Sequence, residues 1–384
     1  MGTTFLFKNS FFAFIFRNIK TFCVLMGLFL LHHSSFAQVR VPVKIDTSQQ
    51  KIKVLYNFIN AYMQKDTINN EMWHPKYKNR KIHDYTMDWT WGEFTPRQIS
   101  KRFDIELSEL QCINDTLSYF KISTKSKSDK NQNSHCNVYK YYIVKIGDTY
   151  YLDNCKEYDS DRFRRYSTKN LEFYISPFYK IEKNKMEAAS KVLDTMYSLL
   201  KRPNLKKPIA YYMCSSEEEL NNLSNIVIWD GGLGGFTNIP EAYVVAINDN
   251  PIYTHEFIHA ILGQGANCFF LQEGIASLYG GMNKGAISYQ KGLEELREGY
   301  KTEKYSFDDL YFRKVKQQYS SSLTYTFAAV FCKYLIENYG LDYFYKLYYD
   351  PEITSNNFLE MLVKKTGKNK KQLKEAVEKL ILKK

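Results

Sequence analysis

Apolar and polar positions follow two rhythms along this chain, and the change of rhythm divides it. Residues 51–64, KIKVLYNFINAYMQ, bring Val54, Leu55, Phe58, Ile59 and Tyr62 together at helical spacing. A polar and aromatic stretch follows, to about Ser100. Then FDIELSELQCI, LSYFKIST, VYKYYIVKIG and TYYLDNC, rich in β-branched and aromatic residues, predict strands. The polar run KSKSDKNQNSHCN serves as a hairpin loop, and Gly147-Asp148 as a turn. A helix followed by an antiparallel meander predicts a small α+β domain over 38–165.

A second pattern opens near Ser167. LEFYISP predicts a strand, residues 180–201 a long amphipathic helix, and KKPIAYYMC a buried strand. SSEEELNNL starts a helix with a serine cap and acids in its first turn. Residues 231–240, GGLGGFTNIP, form a glycine-rich loop. No GK[ST] follows and the loop leads into the strand AYVVAIN, so it is a turn or cleft rim rather than a phosphate cradle. Asn250 and Pro251 suit the cap and first position of a helix that stops at Gly263. Another helix runs from about Cys268 to Tyr279 and ends at Gly280-Gly281. Residues 283–384 are mostly helical in pattern, and the fold class is α+β.

Composition adds a compartment. The 384 residues are 44% hydrophobic and 24% charged, ordinary for a soluble globular protein of two or three domains. Lys8, Arg17 and Lys20 flank the apolar run FCVLMGLFLL, and SSFAQ offers Ser35 and Ala37 to a signal peptidase. A signal peptide is therefore expected over 1–37, cut after Ala37. Its apolar run is shorter than the about 20 residues that a span needs. The mature chain is expected to carry no transmembrane span, and to be periplasmic or extracellular in a bacterium. Losing three cations leaves +9 of the formal +12. Part of the excess lies in KKTGKNKKQLKEAVEKLILKK, expected as a solvated helix face. No nucleic-acid module is recognisable, so no nucleic-acid partner is expected. Export permits disulfides, and Cys112, Cys136 and Cys155 could include a pair. The absence of CxxC argues against a thiolate zinc site.

One helix is at odds with its own hydropathy. In YTHEFIHAIL, the apolar Phe257, Ile258, Ala260, Ile261 and Leu262 surround His255, Glu256 and His259. A helix apolar on nearly every side is buried. Burying polar groups without partners costs about 2–7 kcal/mol each. A metal ion offers compensation. His255 and His259, four apart, lie one turn apart on one face and can share an ion. Glu256 projects to the side, where it can reach a water at the metal without being a ligand. This is the HExxH arrangement. A catalytic zinc takes three protein ligands, and Glu273 in FFLQEGIA is the candidate third. The alternatives are two core histidines satisfied by hydrogen bonds, and an ordinary early-helix acid at 273.

These residues resemble the gluzincin metallopeptidases, where HExxH is followed by a W/FLxEGxA helix that supplies the third ligand. The chain is most similar to the bacterial peptidase MA-like families. The resemblance covers about 168–345, with its strand-helix-strand lead-in and the later YTFAAVFCKYLIENYG. It implies a zincin-like catalytic domain over 166–282, with a helical C-terminal subdomain, 283–384, completing the cleft. It implies Zn2+ on His255, His259 and Glu273, and Glu256 as general base in hydrolysis of a peptide or protein substrate. It further implies Tyr325 as an oxyanion donor and AYVVAIN as the edge strand that carries substrate, with 231–240 at the rim. Two departures stand out. Ser277 occupies a position where many gluzincins carry Asp, and no GxMEN element is present, which weighs against amino-terminal trimming. The N-terminal domain resembles the cystatin-like cone of the nuclear transport factor 2-like superfamily in element order and in its YYIVKIGDTYYLDN ending. Such domains bind or pair. The alternative function is a catalytically inactive zincin-like binding or scaffold protein of the cell envelope. The intact HExxH argues against it, because structural zinc has no need of Glu256.

Overall fold

The computed structural model describes residues 45–46, 48–67, 71–77, 95–127, 136–180, 182–228, 234–239, 241–282, 285–314 and 322–383. The expected signal peptide, 1–37, lies outside the described residues, as do most of the 125–137 loop and parts of 231–240. The described residues form two compact units, one within 45–153 and one within 154–383. Both combine helices and strands, so the chain is α+β. The second unit takes in residues 154–165, which the hydropathy pattern places with the first.

In the first unit, helix α1 (Gln50–Met63) buries Leu55, Ile59, Tyr62 and Met63 on one side. Helix α2 (Pro96–Arg102) starts on a reciprocal Thr95/Gln98 capping box. Strands β1 (Phe103–Cys112), β2 (Leu117–Ser126), β3 (Cys136–Ile146) and β4 (Thr149–Asp153) form an antiparallel meander in chain order. Gly147, at φ 59°, makes the tight turn that pairs Ile146 with Thr149. Period-two alternation puts Phe120, Ile122, Tyr139, Tyr141 and Ile143 in the core. Trp73 meets Tyr62, Tyr77 and Tyr141 edge-on. Cys112 is an exposed free thiol and Cys155 a buried one, so these two do not pair with each other.

The second unit is built on a mixed five-stranded sheet. Its strands are β5 (Arg164–Ser167), β6 (Leu171–Ile175), β7 (Ile209–Cys214), β8 (Gly235–Asn238) and β9 (Tyr243–Ile247), in the order β5-β6-β7-β9-β8. β6, β7 and β9 run parallel, and the two outer strands pair antiparallel to their neighbours. Alternation again assigns the faces. Leu171, Phe173, Ile175, Tyr211, Met213, Val244 and Ala246 enter the main core, beneath helix α3 (Lys183–Leu199). Tyr212, Cys214, Tyr243 and Val245 enter a smaller core with Leu220 and Leu223 of helix α4 (Glu217–Leu223). Ser216 caps α4 by accepting from the Glu219 amide.

The main core continues from Leu171 to Ile381, so 166–282 and 283–384 share one interior. Helices α5 (Thr254–Leu262), α6 (Phe269–Gly280), α7 (Tyr289–Lys301), α8 (Phe307–Tyr311), α9 (Ser322–Tyr339), α10 (Leu341–Tyr348), α11 (Phe358–Thr366) and α12 (Lys370–Leu382) fill it out. α6 lies directly on α9. A Cβ on Gly274 would sit 2.5 Å from the Ala328 carbonyl oxygen and 2.6 Å from Cys332 Sγ, so only glycine permits this approach. α12 buries Leu373, Val377 and Ile381 and turns Lys370, Lys371 and Lys379 to solvent. No helix among the described residues is long and apolar enough to cross a membrane.

Candidate metal centre

α5 begins three residues later than Asn250 and Pro251 suggest. The Asn250 side chain instead accepts from the Ile252 amide at 3.1 Å. This local turn competes with helix, and the first helical residue is Thr254. The expected stop is found: Gly263 takes φ 68° and its amide bonds the His259 carbonyl at 2.9 Å. Every residue from His255 to Leu262 is buried. His255, Glu256 and His259 are each only 7% exposed, so the compensation question raised by the sequence is real.

α6 supplies the answer. Glu273, in its first half, points back at the two imidazoles. Glu273 Oε2 lies 3.1 Å from His255 Nε2 and 3.6 Å from His259 Nε2, and the two ring nitrogens are 3.3 Å apart. A tetrahedral ion with bonds of about 2.0–2.1 Å holds its ligand atoms about 3.3–3.4 Å apart. The three donors thus already have the spacing such an ion requires. Together they form a group able to hold a metal ion, and among the described residues no fourth His, Cys, Asp or Glu joins it.

The His255 ring is oriented by main chain. Its Nδ1 lies 2.8 Å from the Gly281 carbonyl oxygen, which can only accept. Nδ1 therefore carries a proton and donates it, which turns Nε2 toward Glu273 and His259. Gly280 makes this contact possible: a Cβ there would fall 2.4 Å from the His255 amide nitrogen. Gly281 follows at φ 75°. The support that the sequence leaves unassigned at Ser277 comes instead from this carbonyl.

Charge is strongly coupled here. Burial works against protonation of His259, but the Glu273 carboxylate, and behind it Glu256, raises its pKa from 6.5 to about 9. Burial also opposes ionisation of Glu273. The charge and hydrogen bonds of His259 and His255 outweigh it and hold the carboxyl far below the usual range. A cation at this point would replace the proton that otherwise balances the carboxylate.

Glu256 lies outside the donor group. Thr237 Oγ1 sits 2.7 Å from its Oε2 and 2.9 Å from its main-chain oxygen. Burial first, and then the nearby Glu256 carboxylate, pushes the Tyr253 phenol well above its ordinary pKa. Tyr325, near the start of α9, is half-buried with its ring 6.1 Å from that of His255 and 5.3 Å from that of Phe269. Burial, then Glu273 and Glu256, raises its pKa too.

The edge of the sheet differs from expectation. AYVVAIN becomes β9, an interior strand flanked by β7 and β8. The edge is β8, formed by residues 235–238 of the supposed rim loop. Its short length hides it, because neither periodicity nor β-propensity can register over four residues. Thr237 and the Gly281 carbonyl escape sequence reading for a related reason. One lies in that loop, and the other is a main-chain atom that Gly280-Gly281 flags only as a helix end.

No model of a known protein family matches the chain, and no curated protein matches it. The chemistry of this site is read from its geometry.

Proposed function

We propose that this chain is an exported zinc metallopeptidase that hydrolyses peptide bonds. One observation carries the reading: His255, His259 and Glu273 converge at the spacing of a tetrahedral ion, while Glu256 stands beside them and outside the set. Three protein ligands leave a coordination position for water or substrate, as a catalytic zinc requires. Zinc bound here supplies Lewis acidity, lowering the pKa of a water to about 7 and polarising a carbonyl. Glu256 takes the proton of the attacking water and passes one to the leaving amine. Tyr325 donates to the oxygen on which negative charge develops. β8, at the sheet edge, offers main-chain groups along which an extended peptide can pair. The zincin-like assignment of the second unit, the accessory role of the first, and export through residues 1–37 belong to the same proposal.

Glu256→Gln tests it. The variant is expected to bind one zinc per chain and to lose about 10²–10⁴-fold in peptide hydrolysis. Hydrolysis at the wild-type rate in the zinc-loaded variant would remove Glu256 as base, and a chain that binds no zinc would end the reading.

A further inference from the structure

We infer that Thr237 is the positioning residue of the general base, and that through it the edge strand is coupled to the reaction centre. The inference rests on the metallopeptidase reading above. Thr237 pairs with Val244 across the β8/β9 ladder. Residues opposite each other in an antiparallel pair point to the same face. Val244 enters the main core on the α5 side, so Thr237 faces α5 as well. Its neighbour Phe236 pairs with Val245 and packs on the opposite core. Register alone therefore aims the one hydroxyl of this edge strand at Glu256.

The hydroxyl meets a need that the helix cannot meet. A glutamate's last torsion is broad and roughly two-fold, so a helical backbone does not fix the plane of its carboxylate. Thr237 is β-branched and stiff at χ1. Donating from 2.7 Å to Oε2, it pins one carboxylate oxygen. The Glu256 main-chain oxygen lies 2.9 Å from the same hydroxyl, so strand and helix meet at this residue. Gly235 sets the distance between them. A Cβ there would lie 2.9 Å from both Tyr253 Cε1 and the Val245 carbonyl oxygen, so a larger residue would lift β8 away. A peptide pairing along β8 would thus bear on the strand that holds the base.

Thr237→Val keeps shape and removes the donor, whereas Thr237→Ser keeps the donor. With the zinc-loaded full chain and one peptide substrate, the Val variant is expected to lose about 10–100-fold in kcat. Its KM and zinc content stay at wild-type values, because the interaction acts on the base and not on uniform binding. The Ser variant is expected to recover most of kcat. Wild-type kcat in the Val variant, a loss confined to KM, loss of zinc, or failure of Ser to rescue would each overturn the assignment. Failure of the underlying reading looks different: the wild-type chain itself would then show no Glu256-dependent hydrolysis.

Discussion

The imidazole of His255 donates from Nδ1 to the carbonyl oxygen of Gly281 across 2.8 Å. One main-chain acceptor fixes both the tautomer and the ring plane of a ligand whose other nitrogen must present a lone pair. Such partners sustain metal affinity by about 10–100-fold. Here the partner depends on a glycine pair at the end of α6, while Ser277 is fully buried and its hydroxyl has no hydrogen-bond partner among the described residues.

Gly280→Ala should therefore damage the metal site without touching a ligand. Its new Cβ would meet His255 N at 2.4 Å and Cα at 2.5 Å, both rigid main-chain atoms. α5 and α6 must separate, which lengthens the His255–Gly281 bond. Zinc affinity, measured by competition with a chromophoric chelator, is expected to fall about 10–100-fold. An unchanged affinity would show that the carbonyl contributes nothing to the ligand.

Metal binding should stabilise the second unit as well. An ion at 1,000 times its Kd contributes about 4 kcal/mol. For domains of 150–250 residues, each 1 kcal/mol moves Tm by about 2–4 °C. Thermal unfolding with and without chelator is expected to differ by about 8–16 °C. In Glu273→Ala the difference should vanish, since the third donor is gone. A chelator-insensitive wild type would contradict this.

How far the sequence reaches is set by the range of each signal. The grouping of His255, His259 and Glu273 is legible because side-chain chemistry at fixed helical spacing is a local property, and α5 and α6 join through a short glycine-containing turn. The meander of β1 to β4 was legible from alternation and from Gly147. The start of α5 was misplaced because Asn250 favours a helix cap and an isolated turn almost equally. The sheet edge was misplaced because strand order is a long-range property, decided by which neighbour β9 pairs with and not by its own residues. Thr237 and the Gly281 carbonyl belong to that second kind of information.

Acidification should expel the metal through His259. In the metal-free site its pKa is raised to about 9, so below that pH a proton occupies the nitrogen that zinc needs. Apparent zinc affinity is expected to rise about tenfold per pH unit up to about 9 and then level off. The metal-free fold has the opposite dependence. The raised His259 contributes stability that is complete below 6.5 and lost as pH rises through about 9. The depressed Glu273 contributes stability present above 4.5 and lost in acid. Metal-free protein should therefore gain most from this pair between about 4.5 and 6.5. Chelator titrations and urea unfolding across pH test both slopes, and a pH-independent zinc affinity would sink the proton-exchange account.

Tyr325→Phe separates an oxyanion donor from a core aromatic. The ring lies against His255 and Phe269, and a phenyl group keeps both contacts. Only the hydroxyl is lost. Burial and the charges of Glu273 and Glu256 keep that hydroxyl protonated well beyond neutral pH, so it remains a donor wherever Glu256 acts as base. If it stabilises the charge that develops on the carbonyl oxygen, the variant should lose about 10²–10³-fold in kcat. KM should stay near its wild-type value, because the interaction strengthens only in the transition state. Zinc content and Tm should not move. A variant that keeps full kcat would leave Tyr325 as wall of the cleft and require a different donor.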